Sequence, residues 1–344
     1  MAMALKISKD QVKAFLTEVA RSTSLVAPVE RDGVTLFRPV QSGEEVVLDY
    51  ANGTSGPKDF FFPQTEKMFK FRQGPGTLEI QEYQPTEDRV IFGARPCDIA
   101  ALPLLDKVFG GGPFEDSYYL LRREHTALIG LACASPADTC FCTAFGITPG
   151  SADGADAMFY GSGNDYLVQV LTEKGQTLIG KTKAFFGEAP NADLQKSAGE
   201  YQAKEAPLAA RVNLNGIRDL MTFENPVWDE INAKCLSCGI CTYTCPTCHC
   251  FLTQDTGRYE EGVRLRCWDS CMFSDYTKMA GGHNPRPTKK ERTRQRFMHK
   301  LQYYPTRYDG RFLCVGCGRC VEKCPTGLHI ASVVQAVREV PVNA

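Results

Sequence analysis

The sequence predicts an α/β (or α+β) N-terminal domain over residues 1–225, followed by a mainly α-helical domain over residues 226–344. Three features carry this division. A strand–helix–strand pattern runs from Arg89 to Ala132, helical patterning begins near Ala192, and cysteine density jumps after Pro226. A chain of 344 residues also exceeds the size at which one core usually stops growing. With 43% hydrophobic and 10% aromatic residues, it has ample material for packed cores.

The elements follow in order. Ser8 and Gln11 read as a capping box, and Val12, Phe15, Leu16 and Val19 recur at helical spacing behind them. Short β-type runs are expected at 34–40, 45–50, 67–71 and 77–83, separated by Gly, Pro, Ser and Asn. Arg89-Val-Ile-Phe-Gly-Ala94 reads as a buried strand that empties into Arg95-Pro96-Cys97-Asp98, and an Ala/Leu-rich helix follows to about Phe109. A second buried strand, Thr126 to Ala132, ends at Cys133. Such a unit implies a parallel pair, and open α/β sheets bind ligands at the carboxyl ends of their strands. Both strands finish on a cysteine at that end. Further strands are expected at 166–172 and 177–179, then helical pieces at 213–222 and 228–233.

Charge excludes some classes of function. The formal net charge is −1, which gives no general reason to expect nucleic acid or an anionic membrane as partner. No apolar run approaches the ~18 residues that span a bilayer, so membrane insertion is not expected. The N-terminal residues become charged at once, without the apolar stretch of a signal peptide. The expectation is a cytoplasmic protein in a reducing compartment, whose 16 cysteines serve metal binding and not disulfides.

Two motifs give that metal an identity. Cys235-Leu-Ser-Cys238-Gly-Ile-Cys241-Thr-Tyr-Thr-Cys245-Pro246 and Cys314-Val-Gly-Cys317-Gly-Arg-Cys320-Val-Glu-Lys-Cys324-Pro325 are copies of one pattern. Three thiolates at this spacing wrap one [4Fe–4S] cubane, and the fourth cysteine ligates the other cluster. Cys235, Cys238, Cys241 and Cys324 are therefore assigned to one cluster, and Cys314, Cys317, Cys320 and Cys245 to a second. Gly239, Gly316 and Gly318 let the backbone approach the sulfides. Structural zinc also uses C-x2-C pairs, but it needs neither the third cysteine nor the Cys-Pro. The long stretch between Cys245 and Cys314, with helical material at 289–301, points to a helical di-cluster ferredoxin-like domain and not a free-standing β-ferredoxin.

The remaining cysteines are less regular. Cys97, Cys133, Cys140 and Cys142 supply the number of ligands one cluster needs, so a third [4Fe–4S] cluster in the N-terminal domain is weighed against inert core thiols. Cys248, Cys250 and Cys271, with Cys267 nearby, are weighed as ligands too, packing and tuning of the nearest cluster being favoured. The basic stretch Arg286, Lys289, Lys290, Arg292, Arg294, Arg296 and Lys300 is read evenly as a solvated helix face or as cations that offset cluster charge. No nucleotide-binding glycine pattern or serine-nucleophile elbow is present, and the five histidines show no paired metal spacing.

Taken together, Phe60-Phe-Phe-Pro63, Arg95-Pro-Cys97-Asp98, Arg122-Arg123-Glu124-His125, Cys133 and Cys140-Phe-Cys142 resemble the A subunit of anaerobic sulfite reductase and the beta subunit of NiFe sulfhydrogenases. Cys245-Pro-Thr-Cys248-His-Cys250, Trp268-Asp-Ser-Cys271, Gly281-Gly-His283 and His299-Lys300 extend the resemblance over nearly the whole chain, and Cys267 departs from the pattern. The resemblance implies an electron-transfer subunit between a flavin- and NAD(P)H-binding partner subunit and a terminal redox subunit. That terminal subunit would be a sulfite reductase, sulfhydrogenase or heterodisulfide-reductase-type enzyme, and the flavin would sit on the partner. A reductase acting at an N-terminal cluster and a diffusible ferredoxin-like carrier are the alternatives.

Overall fold

The computed structural model describes residues 3–339, so residues 1–2 and 340–344 of the two expected domains lie outside the described residues. The first half runs β1 (Met3–Ser8), α1 (Lys9–Ser22), β2 (Ser24–Arg31), β3 (Val34–Val40), β4 (Thr65–Gly74), β5 (Thr77–Glu82), β6 (Arg89–Ala94), α2 (Pro96–Phe109), α3 (Ser117–Glu124) and β7 (Thr126–Leu131). After β7 come β8 (Ala157–Ser162), β9 (Asp165–Val170), α4 (Glu173–Lys181), β10 (Gly187–Glu188), α5 (Asn191–Gln202) and α6 (Ile217–Leu220). The last third holds α7 (Val227–Lys234), α8 (Ile240–Tyr243), β11 (Phe251–Gly257), β12 (Glu261–Trp268), α9 (Lys289–Met298), α10 (Tyr304–Arg307), α11 (Arg319–Lys323) and α12 (Ile330–Glu339).

An eight-stranded sheet in the order β10-β1-β9-β8-β7-β6-β2-β3 organises the first half. Its centre, β2-β6-β7-β8, is parallel, and its flanks are antiparallel. Strand alternation sorts the core into two layers. Val90, Phe92, Ile129 and Leu131 face α1 and α4, where Val12, Phe15, Leu16 and Val19 are buried. Ile91 and Leu128 face Ile99, Leu102, Leu105 and Phe109 of α2. Each such fully buried side chain contributes about 1.5–3 kcal/mol, so these layers hold α2 firmly at the carboxyl end of β6. That is the end at which Cys97 lies.

The βαβ unit and the strand at 34–40 form as the sequence predicts. Other expectations are corrected. Residues 45–50 form no strand; Glu45 ends a one-turn 3-10 helix, Gly43–Glu45, closed by a Ser42/Glu45 capping box, and 46–50 are irregular. Residues 177–179 lie inside α4, which Thr172 caps by accepting from the Gly175 N–H. Three apolar-alternating residues do not distinguish a strand from a helix face. Ser8 does stand at the start of α1, but its side chain makes no capping bond.

The second half is mainly helical as expected, with one hairpin added. Between the two cysteine motifs stands the hairpin β11–β12, which joins β4 and β5 of the first half in a sheet ordered β11-β12-β4-β5. β12 pairs with β4 from Glu261↔Arg72 to Cys267↔Thr65. Arg266 of β12, 1% exposed, is fixed there by Glu66 of β4 and by Asp116 just ahead of α3. A third apolar cluster, built from Trp228, Phe297, Leu301, Ile330 and Val334, packs α7, α9 and α12 around the cysteine motifs.

Candidate metal centres

The first motif starts where α7 stops. Cys235 caps that helix, Ser237 takes a positive φ of 55° and its N–H donates to the Cys235 sulfur at 3.3 Å. Gly239, at φ 77°, then opens α8. The chain thereby turns Cys235, Cys238 and Cys241 inward onto one cavity, whose wall Cys324 completes from the second motif. Arg296 of α9 lines the same cavity and is only 3% exposed. Its Nη2 reaches the carbonyl of Cys241 at 3.4 Å, while its Nε and Nη1 have no hydrogen-bond partner. A buried guanidinium with orphaned N–H groups is costly unless an anion meets it. A four-thiolate [4Fe–4S] group is an anion. It fits this cavity in ligand number and in charge.

No three His, Cys, Asp or Glu side chains among the described residues converge on a single-ion site.

The second motif is pressed against the N-terminal half. Gly316 and Gly318 have φ of 61° and 79°, and a Cβ on them would lie 2.4 Å from the Phe141 carbonyl and 2.5 Å from that of Thr139. These glycines make room for the loop that carries Cys140 and Cys142, a demand beyond the expected approach to sulfide. Gly316→Ala is expected to cost about 1–3 kcal/mol through strain and to push that loop away, read as a lower thermal midpoint and weaker iron retention. Cys245 is linked to the start of this motif through Lys300, which also donates to the Leu313 carbonyl at 3.0 Å. Its sulfur accepts from Lys300 Nζ at 3.3 Å and lies 3.3 Å from Thr247 Oγ1. Its thiol is held well below the usual range by hydrogen bonding with Cys248, against burial and with help from Lys300. Burial pushes Cys314 up to about 12.

The N-terminal cysteines are all buried and lie along the seam between the halves. Cys97 sits in the first turn of α2, Cys133 beyond β7, and Cys140 and Cys142 in the loop that follows. The Cys140 thiol faces the Cys317 carbonyl at 3.7 Å, and the Phe141 N–H donates to the Gly316 carbonyl at 2.8 Å. Burial raises all four, Cys140 to about 11 and Cys142 to about 12. Beside them runs an ion pair that the sequence did not announce. Arg319 of the second motif grips Asp98 with two bonds, at 2.5 and 2.8 Å, and gives a third to the Gly53 carbonyl at 2.7 Å.

Comparison with known proteins bears on both halves. The family described as "4Fe-4S dicluster domain" matches residues 234–328. Among curated proteins, sulfhydrogenase 2 subunit beta of Pyrococcus furiosus is 33% identical over 339 residues, covering 97% of this chain and 98% of that one. The chain belongs to the sulfhydrogenase beta-subunit family. A solved structure of the F420-reducing [NiFe] hydrogenase complex from Methanosarcina barkeri has a chain 11% identical to this one, at a TM-score of 0.36, over 65% of this chain and 93% of that one.

In this sulfhydrogenase-beta-type chain the other candidate ligands divide. Cys248 lies against Cys245, and Cys250 against Cys271, whose hydrogen bond holds Cys250 down at about 6. Cys267 stands apart on β12, on the face opposite Arg266 and Trp268. Lys58, 5% exposed, donates to the carbonyls of Cys245 and Cys248, both at 3.0 Å, and sits 3.6 Å over the Trp268 ring. Burial pulls this lysine down, against Cys248 and Cys245. His249 and His299 meet at 5.4 Å between ring centroids, and burial holds both low, at about 4 and about 3.

The basic stretch resolves into two faces. Arg292, Arg296 and Lys300 are buried, whereas Lys290 pairs with Asp229 at the surface and Arg294 covers Phe223. Composition alone does not divide this stretch. The spacing of those three residues along one helix face was the signal that separates them. Lys58 offered no such signal.

Proposed function

We propose that this chain is the iron–sulfur electron-transfer subunit of a multi-subunit oxidoreductase, relaying electrons between a flavin- and NAD(P)H-binding partner subunit and a terminal reductase or hydrogenase subunit. The observation that carries this reading is the cavity ringed by Cys235, Cys238, Cys241 and Cys324, with the orphaned guanidinium of Arg296 on its wall. Cys314, Cys317, Cys320 and Cys245 would hold a second [4Fe–4S] group, and Cys97, Cys133, Cys140 and Cys142 a third. When bound, each such group accepts and releases one electron at a time.

The arrangement of the chain supports a relay. Cys238 is exposed, Lys300 joins Cys245 to Leu313 at the start of the second motif, and Cys140 abuts Cys317 of that motif. In this reading the three cysteine sets follow one another from the surface to the seam. An independent reductase at the N-terminal set would need substrate access, yet those four thiols are at most 9% exposed. Among the described residues no helix is long and apolar enough to cross a membrane.

Iron and acid-labile sulfide on anaerobically purified chain test the count. About twelve irons are expected, four for each set. About eight would return the N-terminal cysteines to packing. Electron uptake from NAD(P)H is expected only after a flavoprotein partner is added; uptake by the chain alone would sink the relay reading.

A further inference from the structure

Lys300 is 3% exposed, and its ammonium donates to three atoms: the Cys245 sulfur at 3.3 Å, Thr247 Oγ1 at 2.9 Å and the Leu313 carbonyl at 3.0 Å. None of these is a carboxylate. A buried ammonium without a counter-charge carries a desolvation penalty of several kcal/mol. The acidic groups that act on it are thiols, Cys245 first, then Cys248 and Cys314. The backbone at this point is also unusual. His299–Tyr303 is a π-helical turn between α9 and α10, an irregularity frequent at functional positions. Lys300 therefore ties the first motif, through Cys245, to the residue preceding Cys314 of the second.

The other cysteine set is treated differently. At the cavity of Cys235, Cys238, Cys241 and Cys324, the charge comes from Arg296, which bonds a backbone carbonyl, and the bond to a ligand sulfur comes from the neutral Ser237 N–H; at Cys245 one ammonium supplies both. A positive charge and an N–H···S bond on a ligand favour the reduced, more negative state, which raises a cluster's potential. We propose that Lys300 is a positioning residue that raises the potential of the centre holding Cys245. The raised potential draws electrons entering at the exposed Cys238 side one step inward, next to the N-terminal cysteines. Reduction adds one electron to that centre, and no bond forms or breaks. The inference rests on the two-cluster reading above.

The test is an EPR-monitored redox titration of the anaerobically purified full chain, with iron counted on the same samples. In Lys300→Met, one midpoint is expected to fall by about tenfold or more in the one-electron equilibrium constant, about 59 mV, while the others stay. Lys300→Arg is expected to restore most of the shift. Lys300→Gln keeps an N–H donor without the charge, so the same midpoint is expected to fall by less, and it serves if the methionine variant sheds iron. Loss of one centre's iron from both neutral variants but not from Lys300→Arg reports the same requirement for a cation. Unchanged midpoints in a neutral variant with full iron would overturn the role of Lys300. Wild-type chain without ferredoxin-type iron would instead overturn the cluster reading beneath it.

Discussion

Cys324→Ala is expected to lose about four irons per chain and to abolish the same EPR signal that Cys238→Ala abolishes, although Cys324 belongs to the second motif. The reason is spatial. Cys324 closes the cavity that Cys235, Cys238 and Cys241 open. In the reciprocal variant, Cys245→Ala, the signal shared with Cys317→Ala should disappear, because the Cys245 sulfur is drawn toward Lys300 and the second motif. If each motif instead served its own cluster, Cys324→Ala would match Cys317→Ala, and the crossed assignment would be wrong. Iron content and the surviving signal of each single variant separate the two patterns.

The buried pair of Asp98 and Arg319 is expected to give the largest effect on stability. Their side chains are 1% and 0% exposed. Gly56 leaves room for the carboxylate, since a Cβ there would lie 2.3 Å from Asp98 Oδ1. Removing one partner strands the other charge in the seam, which costs about 3–5 kcal/mol. Asp98→Ala should therefore lower the thermal midpoint by roughly 10 °C. The double change Asp98→Leu with Arg319→Met should recover much of that loss, since apolar replacement of a whole buried pair is often neutral. A single variant that melts within about 2 °C of wild type would mean that the seam does not depend on this pair.

What the sequence made legible was local. The ferredoxin-type spacings could be read because ligand geometry constrains residues only a few positions apart. Arg89–Ala94 and its helix could be read because burial on both sheet faces leaves an unbroken apolar run. β5 and β11 are exposed along their whole length. The first was placed by its turn residues, but the second offered no alternation to find. The electrostatics of the centres were legible in part. Lys300 and Arg296 lie in a stretch whose charge suggested a solvated face, and only burial shows which cations turn inward. Lys58 and the Asp98–Arg319 pair act across nearly 200 residues or more of sequence, a range over which composition and spacing carry no information.

The sheet shared by β4, β5, β11 and β12 also bears on how the protein can be cut and recombined. Ferredoxin-type modules are often thought of as portable parts. Here the segment between the two motifs contributes half of a sheet whose other half is encoded before residue 83. Lifting the cysteine-rich third onto another scaffold would carry away a hairpin whose β12 edge is bare, and leave behind a second one bare along β4. Exposed edges of that kind invite aggregation. A transplant of the wire therefore has to take β4 and β5 with it, or supply a strand in their place.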